Sequence, residues 1–409
     1  MKTMIPILMV SLILIINSCD ETDAIEGGKI TVTEKSAKLV EADNTFGLEL
    51  FQKINAAEKQ ASNLMVSPLS VSLALAMTYN GAEGETKTDM EKTMKLYGLT
   101  PEEINKTYQT LIQELKSLDK DVVLEIADAI YYRNTFSVED KFKTINKTYY
   151  NAEVTPLDFS SPSAVNTINN WVSDKTKGKI PTILDQIKSS DVMFLLNAIY
   201  FNGLWKNKFD KDGTHNLPFR VSTSSTIDVP MMKQENTFDY TSNSLFSGIR
   251  MPYGTGQYNM VVMVPGENKT SDDIIKALTI GNWKTWMDSF LPKNNVIVTM
   301  PRFKFAYDTD LNSVLSDMGM AVAFNPNQAN FKGISKLHDL YIDKVKHKTF
   351  IDVNESGTEA AAVTSIGIGV TSIPSGTFFT VDKPFVFAIT EKETGAILFI
   401  GEVTKPEYK

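Results

Sequence analysis

One long stretch of the chain is rich in small and apolar residues but follows no helical period, and it lies between two segments with strand patterns. Before it, residues 348–353 have the pattern of a strand; after it, residues 379–389 are aromatic and β-branched. Residues 355–377 contain four glycines, and beyond Glu359 no charged residue occurs until Asp382. Connections this long are uncommon in compact proteins and are usually functional or disordered, whereas disordered segments are usually charged and poor in apolar residues. The pattern therefore predicts a strand that has no assigned sheet.

The side chains of this stretch fall into two sets at the strand period of two residues. Alternate side chains of a strand face opposite sides of a sheet. The odd positions are mixed and rich in glycine, whereas the even positions are uncharged and become bulkier along the chain. The even set is Thr358, Ala360, Ala362, Thr364, Ile366, Ile368 and Val370. We expect this set to face the protein interior if the stretch joins a sheet. The alternative is an ordinary strand with long turns.

Hydrophobic periodicity elsewhere predicts a mixture of helices and strands. Ser67 followed by Pro68 predicts a helix start, and the apolar residues through Tyr79 predict that this helix is buried on all sides. Further helices are expected over residues 44–57, 100–118, 163–175 and 310–319. Strands are expected over residues 122–132, 192–209, 296–305 and 395–403. The second of these strands is apolar enough to be buried on both faces.

Composition and charge narrow the class of protein. The chain has 409 residues, of which 42% are hydrophobic and 22% charged, and these are values of globular proteins. The formal net charge of −8 argues against a protein that binds nucleic acid. We therefore expect a globular protein without a nucleic-acid partner.

The pattern of the first 41 residues predicts an export signal followed by a tether. A short basic start and an apolar run over residues 5–16, too short to cross a bilayer as a mature helix, predict a signal peptide over residues 1–18. Ile16-Asn-Ser-Cys19 resembles a bacterial lipobox, which implies lipid attachment to Cys19 and anchoring at a membrane surface, at the outer membrane and cell surface or on the periplasmic side. The alternative is plain secretion with an incidental cysteine. Residues 19–41 are expected to be flexible, and residues 42–409 to form one domain.

A search for catalytic motifs gives no positive case for an enzyme. The three histidines, His215, His338 and His347, form no H-E-x-x-H motif, and a single cysteine excludes an internal disulfide and C-x-x-C metal sites. The chain contains no G-x-S-x-G motif and no phosphate-binding loop. Acidic residues are abundant, so counting alone does not exclude a carboxylate pair, but no motif singles one out. We expect neither a catalytic residue nor a metal or other cofactor.

Several motifs of the chain resemble those of the serpins, the serine protease inhibitor family. Glu355-Ser-Gly-Thr-Glu-Ala-Ala-Ala362 resembles the serpin hinge, and Phe379-Thr-Val-Asp-Lys-Pro-Phe-Val-Phe387 resembles the signature that follows the reactive loop. Leu196-Asn-Ala-Ile-Tyr-Phe-Asn-Gly-Leu-Trp205 is similar to a strand of the main serpin sheet. The resemblance runs from about residue 44 to residue 406. It implies an α+β fold with one large domain: a large mixed main β-sheet, smaller sheets, eight or nine helices and an exposed reactive loop.

The resemblance also implies a function, namely irreversible inhibition of serine proteases by a suicide-substrate mechanism. The family spacing places the reactive bond at Thr371–Ser372, which implies a protease of elastase-like or subtilisin-like specificity; a papain-like cysteine protease is a further possible partner. The inhibitor is expected to be a monomer that forms a covalent complex. Two alternatives stay open: a serpin that is a carrier or chaperone rather than an inhibitor, and a surface-binding lipoprotein of another fold.

The same resemblance assigns roles to individual residues. The hinge is formed by Glu355, Gly357, Thr358, Glu359, Ala360, Ala361 and Ala362. The inward face of the inserting strand is formed by Thr364, Ile366, Ile368 and Val370. A polar cluster beneath the sheet, where the loop enters, comprises Ser67, Ser70, Asn197 and His347, and Trp205 lies where the sheet first opens. Taken singly, each of these polar residues also fits an ordinary hydrogen-bonded position in the core.

Overall fold

The fold is given by a computed structural model, which describes residues 28–58, 63–358 and 376–408. These residues form nine α-helices and fifteen strands. The helices are α1 Glu34–Ala57, α2 Pro68–Tyr79, α3 Gly84–Thr93, α4 Pro101–Ser117, α5 Asp140–Tyr150, α6 Ala164–Lys175, α7 Ser271–Lys276, α8 Ile280–Asp288 and α9 Asn312–Leu315. None of the helices in the described part of the chain has the length and apolar character needed to cross a membrane.

The strands form two sheets, and both are mixed. The strands are β1 Asn63–Val66, β2 Val122–Arg133, β3 Glu153–Leu157, β4 Met193–Leu204, β5 His215–Ser222, β6 Ser225–Ser242, β7 Phe246–Tyr253, β8 Tyr258–Pro265, β9 Leu291–Pro301, β10 Phe303–Asp310, β11 Lys346–Asn354, β12 Gly357–Thr358, β13 Thr377–Thr380, β14 Phe385–Glu391 and β15 Ile397–Val403. The expected α+β fold with eight or nine helices is confirmed.

At the predicted starts of α2 and α4, side chains cap free backbone N–H groups. The Ser67 hydroxyl accepts from the Ser70 N–H at 3.3 Å, with Pro68 as the first residue of α2. Thr100 and Glu103 form a reciprocal capping box at the start of α4: the Glu103 carboxylate accepts from the Thr100 N–H at 2.9 Å. Such caps satisfy donors that have no partner inside the helix, which is why the sequence locates these starts well. The buried helix after Ser67 is confirmed.

Helix α1 begins earlier than the sequence pattern indicates. Its N-cap is Thr33, whose hydroxyl accepts from the Ser36 N–H at 3.1 Å, so residues 34–41 are helical. Leu39 and Val40 are buried in the core. The expectation that the flexible tether extends to residue 41 is therefore wrong for residues 34–41. Leu39, Ala42 and Phe46 are separated by three and four residues, so the helical spacing does extend upstream of residue 44.

The six-stranded sheet has the order β10-β11-β12-β4-β2-β3. It contains β4, the strand whose motif resembles one in the main serpin sheet, and is therefore the expected main sheet. Strands β2 and β3 are parallel, whereas the other neighbours are antiparallel. Strand β4 is buried on both faces only in part: Ile199 packs on the main core and Leu196 on the cluster beneath α6, but Tyr200 and Asn202 are half-buried. The expectation that the strand is buried on both faces is therefore wrong: Met193, Phe194 and Leu195 at its start are also only half-buried.

The remaining strands, expected as smaller sheets, form one nine-stranded sheet. Its order is β1-β15-β14-β8-β7-β6-β9-β13, with β5 paired to β6 outside this path. Every residue of β8, β14 and β15 is buried, which confirms the last predicted strand and places it in the core.

Two predicted strands are each divided by a proline. Residues 379–389 form β13, which pairs with β9, and β14, which pairs with β8 and β15, and Pro384 lies between them. Residues 296–305 likewise divide after Pro301 into β9 and β10, which belong to different sheets. Proline cannot donate to a sheet and restricts the preceding residue, so it ends a strand where local hydrophobicity continues.

The helix predicted over residues 310–319 is shorter than expected. Regular helix spans only Asn312–Leu315, and the chain continues in wider and tighter turns to Phe324. Gly319 has a φ of +117°, a conformation that no α-helix accommodates.

Candidate functional site

The six-stranded sheet is incomplete in its middle. Strands β4 and β11 are bridged only by the two residues of β12, which is antiparallel to both. Gly357 pairs with Leu204 and Asn354, and Thr358 pairs with Gly203 and Val353. Beyond Thr358, in the direction of Met193, no backbone pairing joins β4 to β11 within the described residues. We call the space between residues 193–199 of β4 and residues 346–349 of β11, where the described residues supply no intervening strand, the gap.

A cavity of about 340 Å³ lies along the gap. Its lining includes residues 192–198 on the β4 side and residues 338–348 on the β11 side. Most of these residues are apolar on the β4 side, and the side chains of Met193, Phe194 and Leu195 are only half-buried. Within the described residues, the gap therefore leaves apolar side chains of β4 only half-buried and places no strand between the facing edges of β4 and β11.

The hinge glycine is required by the turn that leads into β12. Gly357 has a φ of +151°, which other residues rarely adopt, and a Cβ there would lie 2.1 Å from the carbonyl oxygen of Gly203. Because real Cβ atoms do not approach so closely, only glycine allows β12 to lie against β4 in this register. The chain therefore reverses at Glu355–Ser356 and enters the sheet at Gly357.

Thr358 is held by aromatic side chains at the entry to the gap. It is 2% exposed, and its hydroxyl lies 2.7 Å from that of Tyr253. The rings of Tyr253 and Trp205 are stacked at 4.4 Å with an angle of 12°. Trp205 also holds the turn, because its indole N–H donates to the Asn354 carbonyl at 2.8 Å and its backbone N–H to that of Ser356 at 2.9 Å. We call Trp205, Tyr253 and residues 354–358 the gate.

Glu355 is a buried carboxylate with an ionic partner. Its side chain is 3% exposed, and its Oε1 accepts from the Arg302 Nε–H at 2.6 Å and from the Thr214 hydroxyl. Removing one partner of a buried pair leaves an uncompensated charge and is strongly destabilising. The pair therefore fixes the turn at the end of β11 to the segment between β9 and β10.

The predicted polar cluster is brought together in part. The His347 Nε2 accepts from the Ser67 N–H at 3.0 Å, and Ser67 in turn caps α2 at Ser70. Burial lowers the pKa of His347 to about 4, so the ring is neutral and its Nε2 is free to accept. Asn197 lines the same cavity as Ser70 and His347, but its amide instead donates to Asp128 Oδ1 at 2.8 Å.

Asp128 is a buried acid on β2, the neighbour of β4 on the side away from the gap, that the sequence analysis did not single out. Burial raises its pKa to about 7, and Asn197 lies directly opposite it on β4. Among the described residues, neither Asp128 Oδ2 nor Asn197 Oδ1 has a hydrogen-bond partner. Asp128 could have been found in the sequence, because it is an acidic residue at an inward position of an apolar strand. No local sequence pattern marks the other missed residues, Arg302, Thr214 and Tyr253.

Several predicted site residues lie outside the described part of the chain. They are Cys19, Glu359, Ala360, Ala361, Ala362, Thr364, Ile366, Ile368, Val370, Thr371 and Ser372. Their assignments stay predictions. Among the residues that are described, no group of three or more histidine, cysteine or acidic side chains has the arrangement needed to hold a metal ion.

Comparison with known proteins identifies the family. The sequence model of the serpin family, described as serine protease inhibitors, matches residues 41–406. Leukocyte elastase inhibitor A of Rattus norvegicus is 35% identical over 381 residues, which cover 90% of this chain and 100% of the rat protein. The crystal structure of the thermophilic serpin tengpin in its native state has a TM-score of 0.83 and 34% identity, covering 92% of this chain and 96% of tengpin. Human thyroxine-binding globulin in complex with thyroxine has a TM-score of 0.82 and 28% identity, covering 91% and 100%. The chain belongs to the serpin family of serine protease inhibitors.

Proposed function

We propose that this protein is an irreversible, suicide-substrate inhibitor of serine proteases of elastase-like or subtilisin-like specificity. One observation carries the proposal: β12 already lies between β4 and β11 at the gate, and the described residues supply no further strand between the two beyond it. A strand that continues β12 into the gap would satisfy both rows of backbone groups. The segment that follows Thr358 is the part of the chain that would form such a strand.

The register of β12 supports this proposal. Gly357 pairs with Leu204 and Asn354, so continuing the same antiparallel register would set Thr364 level with Asn197 and His347. Ala360 would lie between Phe201 and Ile351, which are buried. The even positions would therefore face the interior, in agreement with the period of two residues. Burial of Ile366, Ile368 and Val370 would contribute roughly 5–9 kcal/mol.

The proposed reaction begins as an ordinary proteolysis. The hydroxyl oxygen of the protease serine bonds to the Thr371 carbonyl carbon, the bond to the Ser372 nitrogen breaks, and that nitrogen leaves with a proton supplied by the protease. The ester product joins Thr371 to the protease. The freed segment then inserts into the gap and carries Thr371 about 40 Å along the sheet. Inhibition results if insertion finishes before water hydrolyses the ester.

The specificity of the proposed inhibitor follows from the residue before the cut bond. Threonine suits a protease with a small apolar pocket, and the relative named leukocyte elastase inhibitor A supports that class. A trypsin-like target is not expected, because no lysine or arginine lies between Lys348 and Lys383. The family spacing sets the cut bond to within one or two residues, so Val370 and Ser372 are the neighbouring candidates for the residue before the cut.

The test is incubation of the purified protein with pancreatic elastase or subtilisin, followed by denaturing electrophoresis. We expect a covalent band near the sum of the two masses, and mass spectrometry should find a released fragment that begins at residue 372. Trypsin is the matched control and should give no such band from the loop. Fragments without a covalent band would contradict inhibition and favour the carrier or chaperone alternative.

We also propose that the protein is exported and anchored to a membrane surface through lipid on Cys19. The support is the order of a basic start, an apolar run and Ile16-Asn-Ser-Cys19 at residues 1–19. The first buried residue of the described chain, Ile30, lies about ten residues after Cys19, so the lipid would be attached outside the described domain.

A further inference from the structure

The residues that follow β15 reach back to the gate. The Lys304 N–H at the start of β10 donates to the Glu407 carbonyl at 2.8 Å. This contact brings the ring of Tyr408 over the guanidinium of Arg302, with 5.3 Å between the guanidinium carbon and the ring centroid. Tyr408 is half-buried in this position. The strands that form the two sheets do not explain why an aromatic side chain is placed there.

Arg302 lies between this ring and the buried Glu355. Its backbone is fixed, because its N–H donates to the Pro230 carbonyl at 2.9 Å. Its side chain is 26% exposed, and its Nε–H donates to Glu355 at 2.6 Å. A planar guanidinium is attracted to the face of an aromatic ring, and a ring that covers it also reduces its contact with water. Both effects favour the orientation in which Arg302 donates to Glu355.

The hydroxyl of Tyr408 lies near the end of β11. Burial, followed by the charge of Asp352, raises the pKa of this hydroxyl, and Asn354 and Arg302 oppose the increase. Asn354 Oδ1 accepts from the Ser356 N–H at 3.0 Å and so belongs to the turn. The contact that acts on the turn is that of the ring, which reaches Glu355 through Arg302.

We propose that Tyr408 is a positioning residue for the hinge: by orienting Arg302 toward Glu355 it keeps the turn closed and β12 seated between β4 and β11. This inference rests on the proposed insertion mechanism. A new strand adds most readily to a pair that is already formed, because the first contacts fix several residues for little gain. Tyr408 thus increases the rate of strand insertion without taking part in the attack on the reactive bond.

Three variants separate this role from simple packing. Tyr408→Leu removes the ring but keeps apolar bulk, Tyr408→Phe keeps the ring over Arg302 and loses the hydroxyl, and Tyr97→Leu is a control at a tyrosine that is 55% exposed. We expect Tyr408→Leu to slow insertion about two- to fivefold, which is the size of a partly exposed cation–π contact on a rate. More inhibitor molecules should then be consumed per protease inactivated. Tyr408→Phe should recover most of the loss, and Tyr97→Leu should match the wild type.

A second measurement does not depend on inhibition. Hydrogen exchange of a peptide that covers residues 354–358 should be about two- to fivefold faster in Tyr408→Leu than in the wild type and in Tyr408→Phe. Arg302→Lys provides a further variant if Tyr408→Leu does not fold: it replaces the planar partner of the ring, so the same peptide should exchange faster. Unchanged exchange in the folded variants would overturn the proposal. A wild-type protein that forms no covalent complex, yet shows the exchange effect, would overturn the proposed function and leave the role of Tyr408 in place.

Discussion

Asp128 is a carboxyl group in a place where a negative charge is unfavourable. It faces Asn197 across two neighbouring strands, and burial raises its pKa from the usual 3.8 to about 7. The Lys116 charge on α4 opposes this increase without cancelling it. A protonated Asp128 has an O–H to donate, and Asn197 Oδ1 is a buried acceptor that lacks a partner among the described residues. The neutral acid therefore suits this position better than the carboxylate does.

Asp128→Asn should change how stability depends on pH. Between pH 3.8 and about 7 the folded chain holds a proton on Asp128 that the unfolded chain has lost, so this group's contribution to the free energy of unfolding falls as pH rises through that range. The asparagine cannot titrate. The variant should therefore be more stable than the wild type by about 2–4 kcal/mol at pH 8, with a smaller difference at pH 4.5.

Urea unfolding at the two pH values measures this difference. His347 and Asp43 also titrate, with pKa values of about 4 and about 7, but both are shared by wild type and variant and so cancel in the comparison. A stability difference that is the same at both pH values would show that Asp128 does not titrate with folding.

At the scale of single residues, local motifs predict the hinge glycine and the helix cap better than they predict the partners of Glu355 and Thr358. The hinge glycine and the helix cap at Ser67 are visible because their requirements, a positive φ and a free N–H donor, are local. The partners of Glu355 and Thr358 are distant in sequence: Arg302 is 53 residues from Glu355, and Tyr253 is 105 residues from Thr358. Only the fold brings such pairs together, so no pattern along the chain reveals them.

At the scale of elements, β12 sets the direction in which the rest of the strand would add. Its pairing predicts that Ala360 would lie between Phe201 and Ile351, whereas Ala361 would lie level with Tyr200 and Phe350 on the outer face. The first two neighbours are buried and the second two are half-buried. Adjacent residues of the loop thus have opposite requirements, and this difference gives a matched pair of variants.

Ala360→Glu should convert the inhibitor into a substrate. Insertion would bury a carboxylate without a partner or require its neutralisation, and either costs several kcal/mol. Each 1.4 kcal/mol on the insertion barrier slows that step about tenfold, so hydrolysis should overtake it. We expect cleavage at the same bond, release of active protease and no stable complex, as measured by residual protease activity and electrophoresis.

Ala361→Glu is the control for this prediction, because the added carboxylate would face outward and remain in water. It should consume only slightly more inhibitor per protease than the wild type. If Ala360→Glu inhibits with the wild-type stoichiometry, the loop does not insert in the register of β12.

The same scale shows why some elements could not be predicted from the sequence. The division of residues 379–389 into β13 and β14 depends on which strands are available on either side of Pro384, and these are β9 in one case and β8 and β15 in the other. The early start of α1 depends on the surface against which Leu39 and Val40 pack. Helices with strong caps, such as α2 and α4, needed no such information.

For the whole molecule, the proposed lipid anchor and the inhibitory domain are separate. Cys19 precedes the first buried residue of the described chain, Ile30, so a change at Cys19 should leave the fold unaltered. We expect the full-length wild type to enter the detergent phase in a partitioning experiment, and Cys19→Ala to stay in the aqueous phase or remain unprocessed. Both should inhibit elastase equally. Wild-type protein found wholly in the aqueous phase would contradict the proposed lipid anchor.

The gap also bears on the stability of the whole molecule. Within the described residues, apolar side chains at the start of β4 are only half-buried and no strand fills the gap between β4 and β11. The free energy available from burying Ile366, Ile368 and Val370, roughly 5–9 kcal/mol, is comparable with the entire stability of a typical domain, about 5–15 kcal/mol. The intact protein is therefore expected to be metastable, with loop connectivity preventing full insertion until the reactive bond is cut.

Cleavage of the reactive bond should accordingly raise the melting temperature. A gain of 5–9 kcal/mol corresponds to an increase of about 6–12 °C for a domain of this size. The measurement is thermal unfolding, followed by circular dichroism, of the intact protein and of the protein cleaved with excess elastase and repurified. Cleaved Ala360→Glu is the control: it carries the same broken bond, but its loop inserts poorly, so its melting temperature should stay close to that of the intact form. A cleaved wild type that melts at or below the intact protein would contradict metastability, because a broken bond without insertion adds only freedom to the chain.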